Sequence, residues 1–122
     1  MAEESHLKPV IWVGSSRHDL RQFPSPVQDR MGYALYVAQC GSKHVDAKPL
    51  SGFGGAGVLE LVEDYRGDTF RAVYPLRYAD RVFVLHAFQK KSKRGAATPL
   101  KDIELVRQRL RVAEQIAKEL EL

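Results

Sequence analysis

Residues 81–94, RVFVLHAFQKKSKR, constrain the fold more than any other stretch. From Val82 to Phe88 the run is almost entirely apolar, rich in β-branched and aromatic residues, and too short for an independent helix. It reads as a central strand covered on both faces, with His86 as its one polar member. The run then passes into Lys90, Lys91, Lys93 and Arg94 with no acid among them, and Gly95 and Pro99 bracket the exit. A core strand therefore delivers cations to one rim of a sheet. Like charges that close repel one another, and an anion opposite them is the simplest account of their placement.

The chain of 122 residues is long enough for one domain with its own core. With no repeat or break in composition, a single domain over 1–122 is expected, with 1–8 as a flexible arm. No apolar run reaches bilayer-spanning length and MAEESHLKP has no apolar signal core, so a cytoplasmic chain with no membrane partner is expected. Cys40 is the only cysteine, which excludes an internal disulfide. His6, His18, His44 and His86 show no ligand spacing, so neither a metal nor a cofactor is expected. The net charge of +4 understates the middle of the chain, where Asp80 is the only acid between Phe70 and Lys101. That asymmetry favours a polyanionic partner, most often nucleic acid, although basic rims also occur without one.

Val10 to Val13 reads as a short strand that Gly14 ends, followed by a short helix capped at Ser15 or Ser16 and stopped by Pro24. In a second helix Ser25 is the expected cap, Pro26 the first helical residue and Gln28 the partner in a capping box. Val27, Met31, Ala34, Leu35 and Ala38 form its apolar stripe, and Gly41 its end. Residues 42–57 carry neither period and read as a flexible loop. Their SGFGGAG is not followed by the Gly-Lys-Ser/Thr of a phosphate-binding loop. Three strand-like runs at 58–65, 69–76 and 81–90 then suggest an antiparallel meander, with turns at Arg66-Gly67-Asp68 and Tyr78-Ala79-Asp80. Thr98 as cap and Pro99 at the first position open a last helix, with Ile103, Val106, Leu110, Ala113, Ala117 and Leu120 on one side. The expected class is α+β: an antiparallel sheet with two N-terminal helices and one C-terminal helix packed on it.

Strand alternation puts Arg71 and Val73 on one face of the middle strand and Phe70, Ala72 and Tyr74 on the other, while the pairing register is not readable. Metal-free cleavage of RNA requires a base for the 2′-hydroxyl proton, cations for the extra charge on phosphate, and an acid for the leaving oxygen. Arg71, His86, Tyr74 and Lys90 are the right chemical kinds. Phe88 or Tyr74 suits stacking on an unpaired base, and Lys90, Lys91, Lys93 and Arg94 suit its backbone. Each also has a purely structural account: His86 as a satisfied core histidine, Tyr74 as a strand tyrosine with a wet hydroxyl, Arg71 as an edge arginine paired to Glu60 or Glu63.

The order of a short strand and two helices, a Lys-Pro-Leu segment at Lys48, a glycine loop, Glu60-Leu61, RAVY from Arg71, VFVLHAFQKKSK and a Thr-Pro helix start resembles the RelE/ParE toxin superfamily, nearest its phage-derived HigB-like branch. The resemblance runs from about Pro9 to Leu110. It implies a RelE-like fold and the toxin of a type II toxin–antitoxin pair, whose RelE- and HigB-like members cut messenger RNA at the ribosome without metal. A helix-turn-helix antitoxin is the implied partner, with assembly into a heterotetramer expected. Carried over by position, Arg71 binds phosphate, His86 transfers a proton, and Lys90 and Lys91 form the basic pair. Lys48 joins the RNA-contact set, and Glu60 matches a family position without an assigned role. Such enzymes often place an aromatic or basic residue near the chain end in the site, and the tail QIAKELEL offers no tyrosine. Two alternatives accompany this reading: a ParE-like gyrase inhibitor, and a non-catalytic module that binds its antitoxin at an operator.

Overall fold

In the computed structural model, which describes residues 7–53, 57–90 and 98–121, the elements in chain order are β1 (Val10–Trp12), α1 (Ser16–Leu20), α2 (Ser25–Gln39), β2 (Ala47–Pro49), β3 (Val58–Tyr65), β4 (Asp68–Pro75), β5 (Val82–Val84), β6 (His86–Lys90) and α3 (Leu100–Leu120). The α+β class is as expected. Its centre is the β3–β4 hairpin, paired along its whole length and closed by Arg66 and Gly67, both at positive φ (50° and 86°). That is the backbone a tight two-residue hairpin loop demands, and Asp68 already belongs to β4. β6 adds to the free edge of β4 and β2 to that of β3, giving the antiparallel order β2-β3-β4-β6.

Two features depart from the expected meander. The 81–90 run is not one strand: β5 pairs parallel with β1, and β6 pairs antiparallel with β4, so the chain changes sheets at Leu85. The change is fixed by hydrogen bonds on either side of one peptide. Val13 N–H and the Ser16 hydroxyl donate to Val84 O at 3.0 Å each. Leu85 N–H donates to Val73 O at 2.8 Å, and Leu85 O accepts from Arg109 at 3.0 Å. The second departure is β2, which lies inside the segment read as a loop. Three residues ending in proline give no strand pattern, and the sheet edge tolerates the missing donor.

Helix starts also differ from the capping pattern. Pro24, not Ser25, is the N-cap of α2, and the Gln28 side chain donates to Phe23 O (2.8 Å) and Arg21 O (3.1 Å), which ties α2 to the end of α1. Pro99, not Thr98, caps α3. The Thr98 hydroxyl is drawn instead to charged groups on the sheet, whose hydrogen bonds are stronger than a neutral cap bond. Lys8 is anchored through both backbone groups, to Gln39 O at 3.0 Å and from Gln39 Nε2 at 2.8 Å.

The two faces of the sheet carry two cores. Val27, Met31, Ala34, Leu35 and Ala38 of α2 are buried against Leu59, Leu61, Phe70, Ala72, Tyr74 and Ala87. Val106, Leu110, Ala113 and Ala117 of α3 are buried against Val58, Val73, Phe83 and Leu85. Each fully excluded large side chain contributes about 1.5–3 kcal/mol. Leu120, expected on the α3 stripe, is 56% exposed. Among the described residues no helix is long and apolar enough to cross a membrane.

Arg109 reaches from α3 across Gly14 to Leu85 O and to Ser15 Oγ (3.1 Å). Gly14 sits at φ +57°, and a Cβ there would lie 2.8 Å from Arg109 Nε. Gly14→Ala therefore meets both an unfavourable backbone and a displaced guanidinium, and is expected to cost about 1–2 kcal/mol in urea unfolding. At the other end of the sheet, Glu63 is buried and faces Asp46. Burial first, then the Asp46 carboxyl, push its pKa from 4.5 to about 7, with Arg30 opposing and Asp64 adding. The folded chain therefore holds a proton that the unfolded chain releases near 4.5. Stability in EDTA-containing buffer should fall as pH rises from about 4.5 to about 7 and level off above that, and Glu63→Gln should flatten that fall.

Candidate functional site

The register decides which side chains meet. Lys48 lies opposite Glu60, Glu60 opposite Val73, and Val73 opposite His86, so one row crosses the whole sheet. The next row runs Val62, Arg71, Phe88, and the one after it brings Thr69 opposite Lys90. Because directly opposed residues share a face, Lys48, Glu60, Arg71, His86, Phe88 and Lys90 all lie on the face that α3 covers.

Arg71 is held from two sides. One guanidinium nitrogen donates to Glu60 Oε1 at 2.9 Å and to Thr98 Oγ1 at 3.1 Å, and Thr98 Oγ1 donates to Glu60 Oε2 at 2.8 Å. Both charged side chains are less than a tenth exposed. Of the two ion pairs open to Arg71 in the sequence, the one to Glu60 forms. Lys90 is buried beside them at 4% exposure. Burial, then the Arg71 charge, hold its ammonium below the usual lysine range, with Glu60 pulling the other way. A lysine in that state gives up its proton more readily than one in water.

His86 stands on the neighbouring strand. Its Nε2 lies 2.7 Å from Asp102 Oδ1, and its ring stacks on Phe88 with centroids 4.6 Å apart. A carboxylate only accepts, so Nε2 carries the hydrogen and, in the neutral ring, Nδ1 carries the lone pair. Nδ1 is buried with no hydrogen-bond partner among the described residues. The pair has the form of a base oriented by an acid. A cleft of about 340 Å³ beside Arg71 is lined by Leu50, Gly52, Glu60, Thr98, Ile103 and Arg107. Arg107 closes one side of it, donating to Gly52 O at 2.6 Å and lying over the Phe53 ring at 4.9 Å.

Of the candidate residues, Arg71, His86 and Lys90 are brought onto one face, and Lys48 is exposed at its β2 edge. Tyr74 is not brought there. It points to the α2 side of the sheet at 1% exposure, its hydroxyl without a partner among the described residues and its pKa raised by burial. The parity that separates residue 74 from residue 71 on a strand is the physical reason. Lys91, Lys93 and Arg94 lie outside the described residues. Asp102 and Thr98 are the contributors that sequence reasoning missed. The available signal was that Asp102 falls one turn before Val106, beside the buried stripe, in a helix start where an acid also meets the positive end of the helix dipole.

The fold and site together define a small α+β protein that gathers buried cations and a histidine–carboxylate pair on the sheet face beneath its last helix. The chain belongs to the phage-derived protein Gp49-like family (DUF891), which matches over residues 18–111. That is a family of RelE-like toxins of toxin–antitoxin systems, and membership implies an antitoxin partner. No curated protein and no solved structure matches the chain significantly.

Removing the Asp102 carboxylate leaves His86 Nε2 buried without its acceptor. Asp102→Ala should lower stability by about 1–3 kcal/mol in urea unfolding, while substitution of exposed Glu104 should fall within about 0.5 kcal/mol of the parent.

Proposed function

We propose that the chain is the toxin of a type II toxin–antitoxin pair, of the HigB-like kind, and that it cuts messenger RNA on the ribosome without using a metal. The observation that carries this reading is the convergence of Arg71, Lys90 and the His86–Asp102 pair on one sheet face, in a member of a RelE-like toxin family. A cation-lined face next to a cleft suits a single RNA strand, and Phe88 offers a ring against which a base can stack.

In this scheme His86 Nδ1, uncovered as the RNA docks, takes the proton of a ribose 2′-hydroxyl. The 2′-oxygen attacks phosphorus as the bond to the 5′-oxygen breaks, which leaves a cyclic phosphate and a free 5′-hydroxyl. Asp102 keeps the ring oriented and stabilises the imidazolium that forms. Arg71, held in position by Glu60 and Thr98, binds the phosphate oxygens as charge builds on them. Lys90 is the general acid for the leaving oxygen, its lowered pKa suiting that role. Lys48, with Lys91, Lys93 and Arg94, contacts the RNA backbone. Tyr74 has no part, because it faces the other core. A helix-turn-helix antitoxin, assembled with the toxin as a heterotetramer, is the partner proposed to cover this face.

Expression of the chain without its antitoxin should arrest growth within minutes and produce transcript 5′ ends inside translated regions that disappear when translation is blocked. His86→Gln and Arg71→Lys, each confirmed folded, should reduce cleavage at least about 100-fold, in line with loss of a general base or of a charge-stabilising group. Cleavage undiminished in the double variant would refute the site. Arrest with DNA breaks and intact transcripts would point to gyrase, and no arrest at all to a module that only binds its antitoxin.

A further inference from the structure

On the sheet face away from Arg71 and His86, the turn before β2 meets β3. The Ala47–Leu61 pairing lays that turn alongside Glu63. His44, Asp46 and Glu63 there each direct one potential ligand atom into a shared space, all within 4.8 Å of one another. His44 Nδ1 is 3.7 Å from Asp46 Oδ2. Glu63 is more than nine-tenths buried, at 7% exposure, and its Oε2 has no hydrogen-bond partner among the described residues. The Glu63 carboxyl also hydrogen-bonds that of Asp46, which leaves its other oxygen, Oε2, buried against a second acid without a donor, a costly arrangement once Glu63 ionises. The nearby Arg30 directs a guanidinium nitrogen to Asp64 O at 3.2 Å, so part of its hydrogen-bonding capacity is spent on the backbone.

We propose that His44, Asp46 and Glu63 form a binding site for a divalent transition-metal cation of the zinc or manganese class. One imidazole nitrogen and two carboxylate oxygens are a donor set such ions accept, with water completing the shell. Metal–ligand bonds of about 2.0–2.2 Å require the three atoms to lie within roughly 4.4 Å of each other. The site is therefore within a small side-chain movement of that geometry, and Asp46, with a side chain 42% exposed, is free to make it. The Asp46 N–H donates to His44 Nδ1 at 3.1 Å, which marks Nδ1 as the nitrogen with the lone pair. A metal takes that lone pair in place of the N–H. Magnesium, which favours all-oxygen shells and retains its water, is a poor match. The bound ion ties the turn before the edge strand β2 to β3, and takes no part in the chemistry proposed for the other face.

The test uses the full chain after EDTA treatment. Zinc or manganese at a hundredfold excess over Kd should raise the wild-type Tm by about 5–10 °C, reversibly with EDTA, and magnesium should not. Calorimetric titration should give one ion per chain. Glu63→Gln and His44→Ala, both folded by circular dichroism in EDTA, should lose the gain and at least about tenfold in affinity. Absence of one-to-one binding at millimolar zinc and manganese would overturn the proposal. So would a gain retained in both variants, which would place the ion elsewhere, for instance at exposed Cys40. None of these readouts depends on RNA cleavage, so the site stands or falls separately from the proposed activity.

Discussion

Two cations, Arg71 and Lys90, are buried on one face of a sheet, where the Glu60 carboxylate acts on both. Desolvating a charge costs several kcal/mol, and a buried ion pair offsets that only when its geometry is good and its remaining hydrogen-bonding groups are used. Here the geometry comes from the register. Glu60 and Arg71 lie on adjacent strands of a hairpin closed by two residues at positive φ, and Thr98 bridges them from the segment leading into α3. Thr98 is taken from its expected capping role for this reason. The charge pair thus determines how α3 begins, and the start of α3 determines where Asp102 stands relative to His86.

The elements legible in the sequence are those with a long period or strong punctuation. The α2 stripe Val27, Met31, Ala34, Leu35 and Ala38 is buried in full, and the β3–β4 hairpin turns where Arg66-Gly67 said it would. Three-residue strands carry no period of their own. β1 and β5 find each other only because the intervening chain brings them together, and β2 is hidden by its proline. The single apolar run at 82–88 disguised a change of sheet, because buried strands of either kind share one composition. Only the hydrogen bonds around Val84 and Leu85 separate them.

The site was legible as a set of residue types and not as a constellation. Arg71 was visible because it breaks an apolar strand, and His86 because it breaks another. Tyr74 shares their chemical kind, but strand parity assigns it to the other face, and parity is what the structure obeys. Asp102 and Thr98 could not be matched to their partners, since a contact between α3 and the sheet leaves no trace in local periodicity. The Asp46–Glu63 approach was invisible for the same reason: each carboxylate looks like an ordinary solvated charge until β2 is laid beside β3.

The order of the chain has a consequence for when this protein is complete. The six strands of the described residues are synthesised before α3, and they already contain Arg71, His86 and Lys90. The carboxylate that orients His86, the hydroxyl that braces Arg71 and the guanidinium that fixes the Leu85 peptide all arrive later, with the segment that forms α3. A nascent or frayed chain therefore holds the groups of the candidate site unassembled, and the last helix serves as a clasp. Whatever holds that helix away from the sheet takes the candidate site apart without touching a single residue on the strands.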